Sequence, residues 1–205
     1  MDLRPGPQSF DDYATSCANR RTAARSVFHL QPLGKAGARA DLLEAMRAQA
    51  AAFFGLPARV GDPLPAIGDG WDPMRRRQNA SVLIDRLAPL APGDALVFLA
   101  VVEEDLFARG LPWVFGEGNF GNRCGVLSLA RLGLAIRALK LMCHEAGHVL
   151  SIAHCANRRC LMQGARSLAE VDAMPLALCA ADLEKLRWNT GGSAENYVLA
   201  PAAGA

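Results

Sequence analysis

Three of the four histidines in this 205-residue chain fall in one short segment, His144-Glu145-Ala146-Gly147-His148-Val149-Leu150-Ser151-Ile152-Ala153-His154. At about 100° and 1.5 Å per residue, a helix sets His144 and His148 one turn apart and roughly 40° apart in azimuth, so both imidazoles can reach one ion. His154 lies six residues beyond His148, which a continuing helix would carry about 9 Å further along its axis. The fold must therefore provide a helix that stops near Leu150 and a turn at Ser151 that returns the third histidine.

Three imidazole nitrogens leave one tetrahedral position open, the arrangement of a catalytic zinc, whereas structural sites close with four protein ligands. Glu145 follows its ligand directly and stands where a general base for a metal-activated water belongs. The histidine pair projects away from a stripe formed by Leu132, Ile136, Leu139, Cys143, Ala146 and Leu150, toward a cleft on the side of Arg137 and Lys140. Cys143 lies on that stripe, facing the core, which argues against a cysteine nucleophile. His29 stands alone in an apolar run and reads as a partnered core or edge residue.

Cys155, Cys160, Cys179 and Asp182 follow the histidines closely. Soft thiolates favour zinc, and a carboxylate can supply a fourth ligand, so a second, structural zinc on these four is possible. Buried free cysteines are the alternative.

Elsewhere the chain alternates. Ser26 to Leu30 reads as a strand, Asp41 to Phe54 as a helix, Val60 as the start of a short strand, Asn79 to Leu90 as a helix and Leu96 to Val102 as a buried strand. The stretch from Gly61 to Asp72 reads as loop, and Leu111 to Phe115 with Cys124 to Leu127 as a hairpin at a sheet edge. This pattern predicts an α/β fold with a partly parallel sheet. The expected organisation is a flexible segment over 1–25, a single domain over 26–188 whose C-terminal subdomain is 151–188, and a flexible tail over 189–205. A formal charge of +2 with scattered basic residues gives no footprint for nucleic acid or an anionic membrane. Arg75 to Arg77 reads as a solvated run. No apolar stretch approaches a bilayer span, and the N-terminus lacks an apolar signal region, so a cytoplasmic monomer is expected.

The run from His144 to Met162, followed by Cys179 to Asp182, resembles the archaemetzincins, metzincin-clan peptidases with the signature HExxHxxGxxHCx4CxM and then CxxC. Phe107 to Gly116 and Ser128 to Leu132 are similar to the family's edge-strand region and helix entry. The resemblance implies a compact metzincin-like fold: a twisted mixed sheet with an antiparallel edge strand, an active-site helix carrying HExxH, and a small Cys-rich C-terminal subdomain. It implies a catalytic zinc on His144, His148 and His154, Glu145 as base, Met162 as the methionine of a Met-turn, and a second zinc on the cysteines. It also implies that Trp113, Val114 and Phe115 hold a peptide or protein substrate in extended pairing. Two residues depart from the signature: Ser151 stands in place of glycine and Asp182 in place of the last cysteine.

The expected activity is zinc-dependent peptide hydrolysis, with endo- and aminopeptidase action both open. The rival is a zinc-binding, weakly active or inactive protein that captures peptides along its edge strand. A sheet-based interaction module without metal is a third reading.

Overall fold

The computed structural model describes residues 8–191. Helix α1 (Phe10–Ser16) opens with a reciprocal cap, Ser9 and Asp12 each bonding the other's backbone N–H. Strand β1 (Val27–Pro32), helix α2 (Ala40–Phe54) and strand β2 (Ala58–Val60) follow, α2 ending at Gly55 in the left-handed conformation. Next come β3 (Trp71–Asp72), β4 (Arg77–Asn79), α3 (Ala80–Leu87), β5 (Ala95–Val102), β6 (Leu106–Ala108), β7 (Leu111–Val114), β8 (Gly116–Gly118) and β9 (Cys124–Ser128). Helices α4 (Ala135–Val149), α5 (Leu168–Ala173) and α6 (Ala180–Thr190) complete the order.

The main sheet runs β2-β1-β5-β9-β8, its first four strands parallel and β8 antiparallel at the edge. Central β5 is buried along its whole length. Because side chains alternate across a strand, Val97, Leu99 and Val101 enter one core with residues of α2 and α4, while Phe98, Ala100 and Val102 enter a second with Leu83, Ile84 and Leu87 of α3. The sheet is thus covered on both faces, as a parallel sheet requires. A smaller sheet, β3-β4-β6-β7, adjoins it. Asp105 anchors that sheet, accepting from Arg131 through both oxygens and from Arg77 Nε at 2.7 Å.

The α/β class, the mixed sheet and the antiparallel edge strand agree with expectation; several details do not. The segment 8–25, expected to be flexible, packs on the domain: Tyr13 is fully buried in the main core, its hydroxyl donates to the Leu150 carbonyl at 2.9 Å, and the Asn19 amide donates to the carbonyls of Leu96 and Val149. Aromatic burial outweighs the polar average of that segment. Leu111 to Val114 pairs with β6 in the small sheet, and the hairpin at the main-sheet edge is β8–β9. Arg77 is not a solvated residue, since Asp105 takes its guanidinium. Helix α4 starts only at Ala135, leaving Leu132 before it and Ile136 39% exposed, while Leu141 to Val149 is buried all round. The expected stripe is displaced because the C-terminal residues cover the far side: Arg137 pairs with Asp172, and Lys140 donates to the carbonyls of Val171 and Asp172. His29, buried on the interior strand β1, bonds Asp94 at 2.9 Å, consistent with a partnered core residue. The expected tail at 189–205 lies outside the described residues from 192 onward, and 189–191 complete and cap α6.

Candidate metal centre

The last turns of α4 carry His144, Glu145 and His148, and the helix stops where the spacing demands. Ser151 takes φ 67°, its N–H donates to the His148 carbonyl at 2.8 Å, and the Ile152 N–H donates to the Gly147 carbonyl at 2.9 Å. This is a Schellman termination with serine at the position that glycine usually fills. A β-carbon in the left-handed region costs roughly 1–2 kcal/mol, so Ser151 holds this turn under strain. The turn brings His154 back over the helix.

The three Nε2 atoms converge: those of His148 and His154 lie 3.1 and 3.3 Å from that of His144. Ligands about 2.0–2.1 Å from a tetrahedral zinc stand about 3.3–3.4 Å apart, close to what is observed. The Nδ1 atoms of His144 and His148 lie 2.8 Å from the carbonyls of Leu161 and Ile152. Those carbonyls can only accept, so each Nδ1 carries the proton and each Nε2 presents a lone pair. Lone pairs aimed at one another repel unless a cation lies between them, and the donor set therefore fits zinc. Burial, with the neighbouring imidazoles, lowers His144 to about 4 and His148 well below its ordinary value, so both rings are neutral and able to ligate a metal. His154 is exposed, which leaves the site open to solvent.

Glu145 is 5% exposed and lies against β8, whose Gly118 backbone amide favours its charged form. Burial, and next the Glu117 charge, push its carboxyl up to about 8 in the metal-free protein; a nearby dication acts in the opposite sense. Close approach of β8 to α4 rests on two glycines. A β-carbon at Gly116 would stand 2.7 Å from Glu145 Cγ, and one at Gly118 would overlap the Glu145 carbonyl and stand 2.6 Å from His148 Cβ. Gly147 is a third: a β-carbon there would be 2.5 Å from Met162 Sδ. The thioether of Met162, fully buried, thus packs on the turn between the two helical histidines. Phe120 tilts over His148 with ring centroids 5.5 Å apart and is 44% exposed.

Trp113, Val114 and Phe115, expected to border the site, do not form the strand beside Glu145. Phe115 is 6% exposed in the main core and Trp113 packs edge-on against it beneath the Arg131 guanidinium, while Val114 joins the second core. Large aromatic side chains are drawn into the interior, and the strand beside Glu145 is instead the side-chain-poor Gly116–Gly118. The Gly-x-Gly pattern was the available signal for it. Cys143 is buried at 1% exposure and burial pushes its thiol up, which leaves it inert.

The second group also assembles. Cys155 and Cys179 Sγ are 3.8 Å apart, Cys160 Sγ donates to Asp182 Oδ2 at 3.1 Å, and all four donor atoms lie within 4.8 Å of one another. Thiolates about 2.3 Å from a tetrahedral zinc stand about 3.8 Å apart. Burial raises Cys155 to about 11 and pushes Cys160 higher still; a coordinated cation would deprotonate them. Burial opposes the charge of Asp182, but Lys185, 2.8 Å from Oδ1, outweighs it and keeps the carboxyl below its ordinary range. Lys185 therefore occupies one oxygen and leaves the other facing the thiols. The donor set fits zinc, and the ammonium offsets part of the excess negative charge of three thiolates and a carboxylate. The i, i+3 spacing of Asp182 and Lys185 on α6 was the available signal for this pair.

A family model, Peptidase family M54, matches residues 93–188. The archaemetzincin of Archaeoglobus fulgidus is 34% identical over 58% of this chain and 74% of its own length, and that of Methanopyrus kandleri is 34% identical over 58% and 71%. The chain belongs to the archaemetzincin family. As a member it is a zinc metallopeptidase. The crystal structure of the Methanopyrus kandleri archaemetzincin superposes with a TM-score of 0.74 at 26% identity, covering 83% of this chain and 98% of that one. The Archaeoglobus fulgidus archaemetzincin, solved in complex with malonate, gives 0.69 at 28% identity over 78% and 99%. Among the described residues no helix is long and apolar enough to cross a membrane.

Proposed function

We propose that the chain hydrolyses peptide bonds at a zinc ion held by His144, His148 and His154, with Glu145 as general base. The observation that carries this reading is the convergence of three imidazole lone pairs whose opposite nitrogens are tied to backbone carbonyls. Zinc, when bound, supplies Lewis-acid polarisation of a carbonyl oxygen and of a water. Glu145 accepts the proton of the attacking water on its carboxylate and returns it to the leaving amine nitrogen. The free edge of β8 aligns an extended peptide through main-chain hydrogen bonds, and Phe120 borders the same face. No covalent intermediate is needed. Met162 supports the ligand turn from beneath, and Cys155, Cys160, Cys179 and Asp182 hold a second, structural zinc.

Glu145→Gln tests the base. Peptide cleavage is expected to fall by about 10²–10⁴ while zinc content per chain stays at the wild-type value. Undiminished cleavage overturns the mechanism. The strained Ser151 turn favours one rival, a zinc-loaded protein that captures peptides with little turnover; peptide binding without cleavage by the wild-type protein would establish it. Metal analysis decides the number of ions: two per chain falling to one in His148→Ala supports both sites.

A further inference from the structure

Gln8 is far from the histidines in sequence and adjacent to them in space. Its side-chain Nε2 donates to the Ser151 carbonyl at 3.1 Å, and its Oε1 accepts from the Ala153 N–H at 3.1 Å. One amide thereby fastens both ends of the turn that leads into His154. The backbone carbonyl of Gln8 accepts from Lys185 Nζ at 2.7 Å, and the same ammonium donates to Asp182 Oδ1 at 2.8 Å. Lys185 is 3% exposed and Asp182 2%. A buried ammonium holds its place only through such acceptors, so Lys185 fixes the position of Gln8.

The turn needs fixing. Residues 152–155 belong to no helix or strand, and they hang from a serine held at φ 67°, a conformation that β-carbon sterics disfavour. Among the three histidines, His154 alone is exposed and carried outside α4. Its position depends on the backbone that Gln8 grips.

We propose that Gln8 is a positioning residue for His154, and that the Lys185–Asp182 pair holds Gln8, joining the cysteine cluster to the histidine centre through the N-terminal segment. The positioning role rests on His154 being a zinc ligand; the brace itself does not.

The test uses the full chain and its Gln8→Ala and Lys185→Met variants. Amide hydrogen exchange of the metal-free proteins reads the brace, and competition with a chromogenic chelator reads zinc affinity, His144→Ala identifying the ion held by the histidines. In Gln8→Ala, exchange across 151–155 is expected to accelerate at least about tenfold with β5 unchanged. The histidine-held ion should bind about tenfold more weakly while the cysteine-held ion keeps its affinity. Lys185→Met should accelerate the same segment by a smaller factor. Unchanged exchange at 151–155 in Gln8→Ala, or acceleration spread over the whole chain, overturns the brace. Local acceleration with unaltered zinc affinity overturns the positioning role, and a silent Lys185→Met overturns the link to the cysteine cluster. A wild-type protein with no histidine-dependent zinc refutes the proposed function and the positioning role together, while the exchange result still decides the brace.

Discussion

At the scale of single residues, the centre is shaped by side chains that are absent or misfitted as much as by its ligands. Gly147 leaves the space that Met162 fills, and a methyl group there must displace a fully buried thioether. Gly147→Ala is expected to destabilise the protein by about 1–3 kcal/mol and to weaken zinc binding; equilibrium urea unfolding and metal analysis check both. Ser151 presents the opposite case. Glycine at φ 67° removes the β-carbon penalty but enlarges the entropy of the unfolded chain, so Ser151→Gly should stabilise by about 0.5–1 kcal/mol. A lower urea midpoint in that variant would contradict the strain assignment. The candidate ligands His144 and His148, with Glu145, were legible because one-turn spacing on a helix is a local property. Gln8 was not, because its bonds to Ser151, Ala153 and Lys185 are fixed only when the termini pack together, whereas the pairing of Lys185 with Asp182 is an i, i+3 contact within α6.

At the scale of elements, the short strands illustrate where periodicity stops being informative. The buried strand β5 and helix α2 were readable from runs of apolar residues, with bounds within a residue or two. Leu111 to Phe115 has the composition of a substrate-facing strand, yet the true edge strand beside Glu145 is three residues long and two of them are glycine. Three residues carry no period, and the reason for the glycines is steric contact with another element. The small sheet depends on Asp105, whose burial raises its carboxyl but whose pairing with Arg131 and Arg77 outweighs that and holds it below the ordinary value. A depressed folded pKa stabilises fully above the unfolded value of about 3.9 and loses that contribution as pH falls through the folded value. Asp105→Asn is therefore expected to cost about 1–2 kcal/mol at neutral pH, and to flatten the loss of stability below about pH 4. Unfolding curves from pH 2 to 7 measure both effects.

For the whole molecule, both ends of the described chain meet beside the C-terminal end of α4. Tyr13 reaches the Leu150 carbonyl, Asn189 donates to the Tyr13 hydroxyl and to the Asn19 carbonyl, and Arg20 stacks over Trp188. The candidate ligands come from α4, the loop that follows it and α6, so zinc held by them would be linked to the stability of the folded state. At free zinc a thousandfold above the dissociation constant, one site adds about 4 kcal/mol. Thermal unfolding with and without a chelator should show a zinc-dependent midpoint, reduced in part by His148→Ala; a midpoint indifferent to zinc would refute the linkage. The sequence by itself determined the α/β class, the end of α4 and both groups of candidate metal-binding residues, since these follow from spacing along one or two elements. The tertiary structure alone decided which strand borders Glu145, what covers the outer face of α4, and how Lys185 and Gln8 tie the cysteine cluster to the His154 turn. Those are contacts between segments distant in sequence, selected by burial and steric fit, and no local pattern records them.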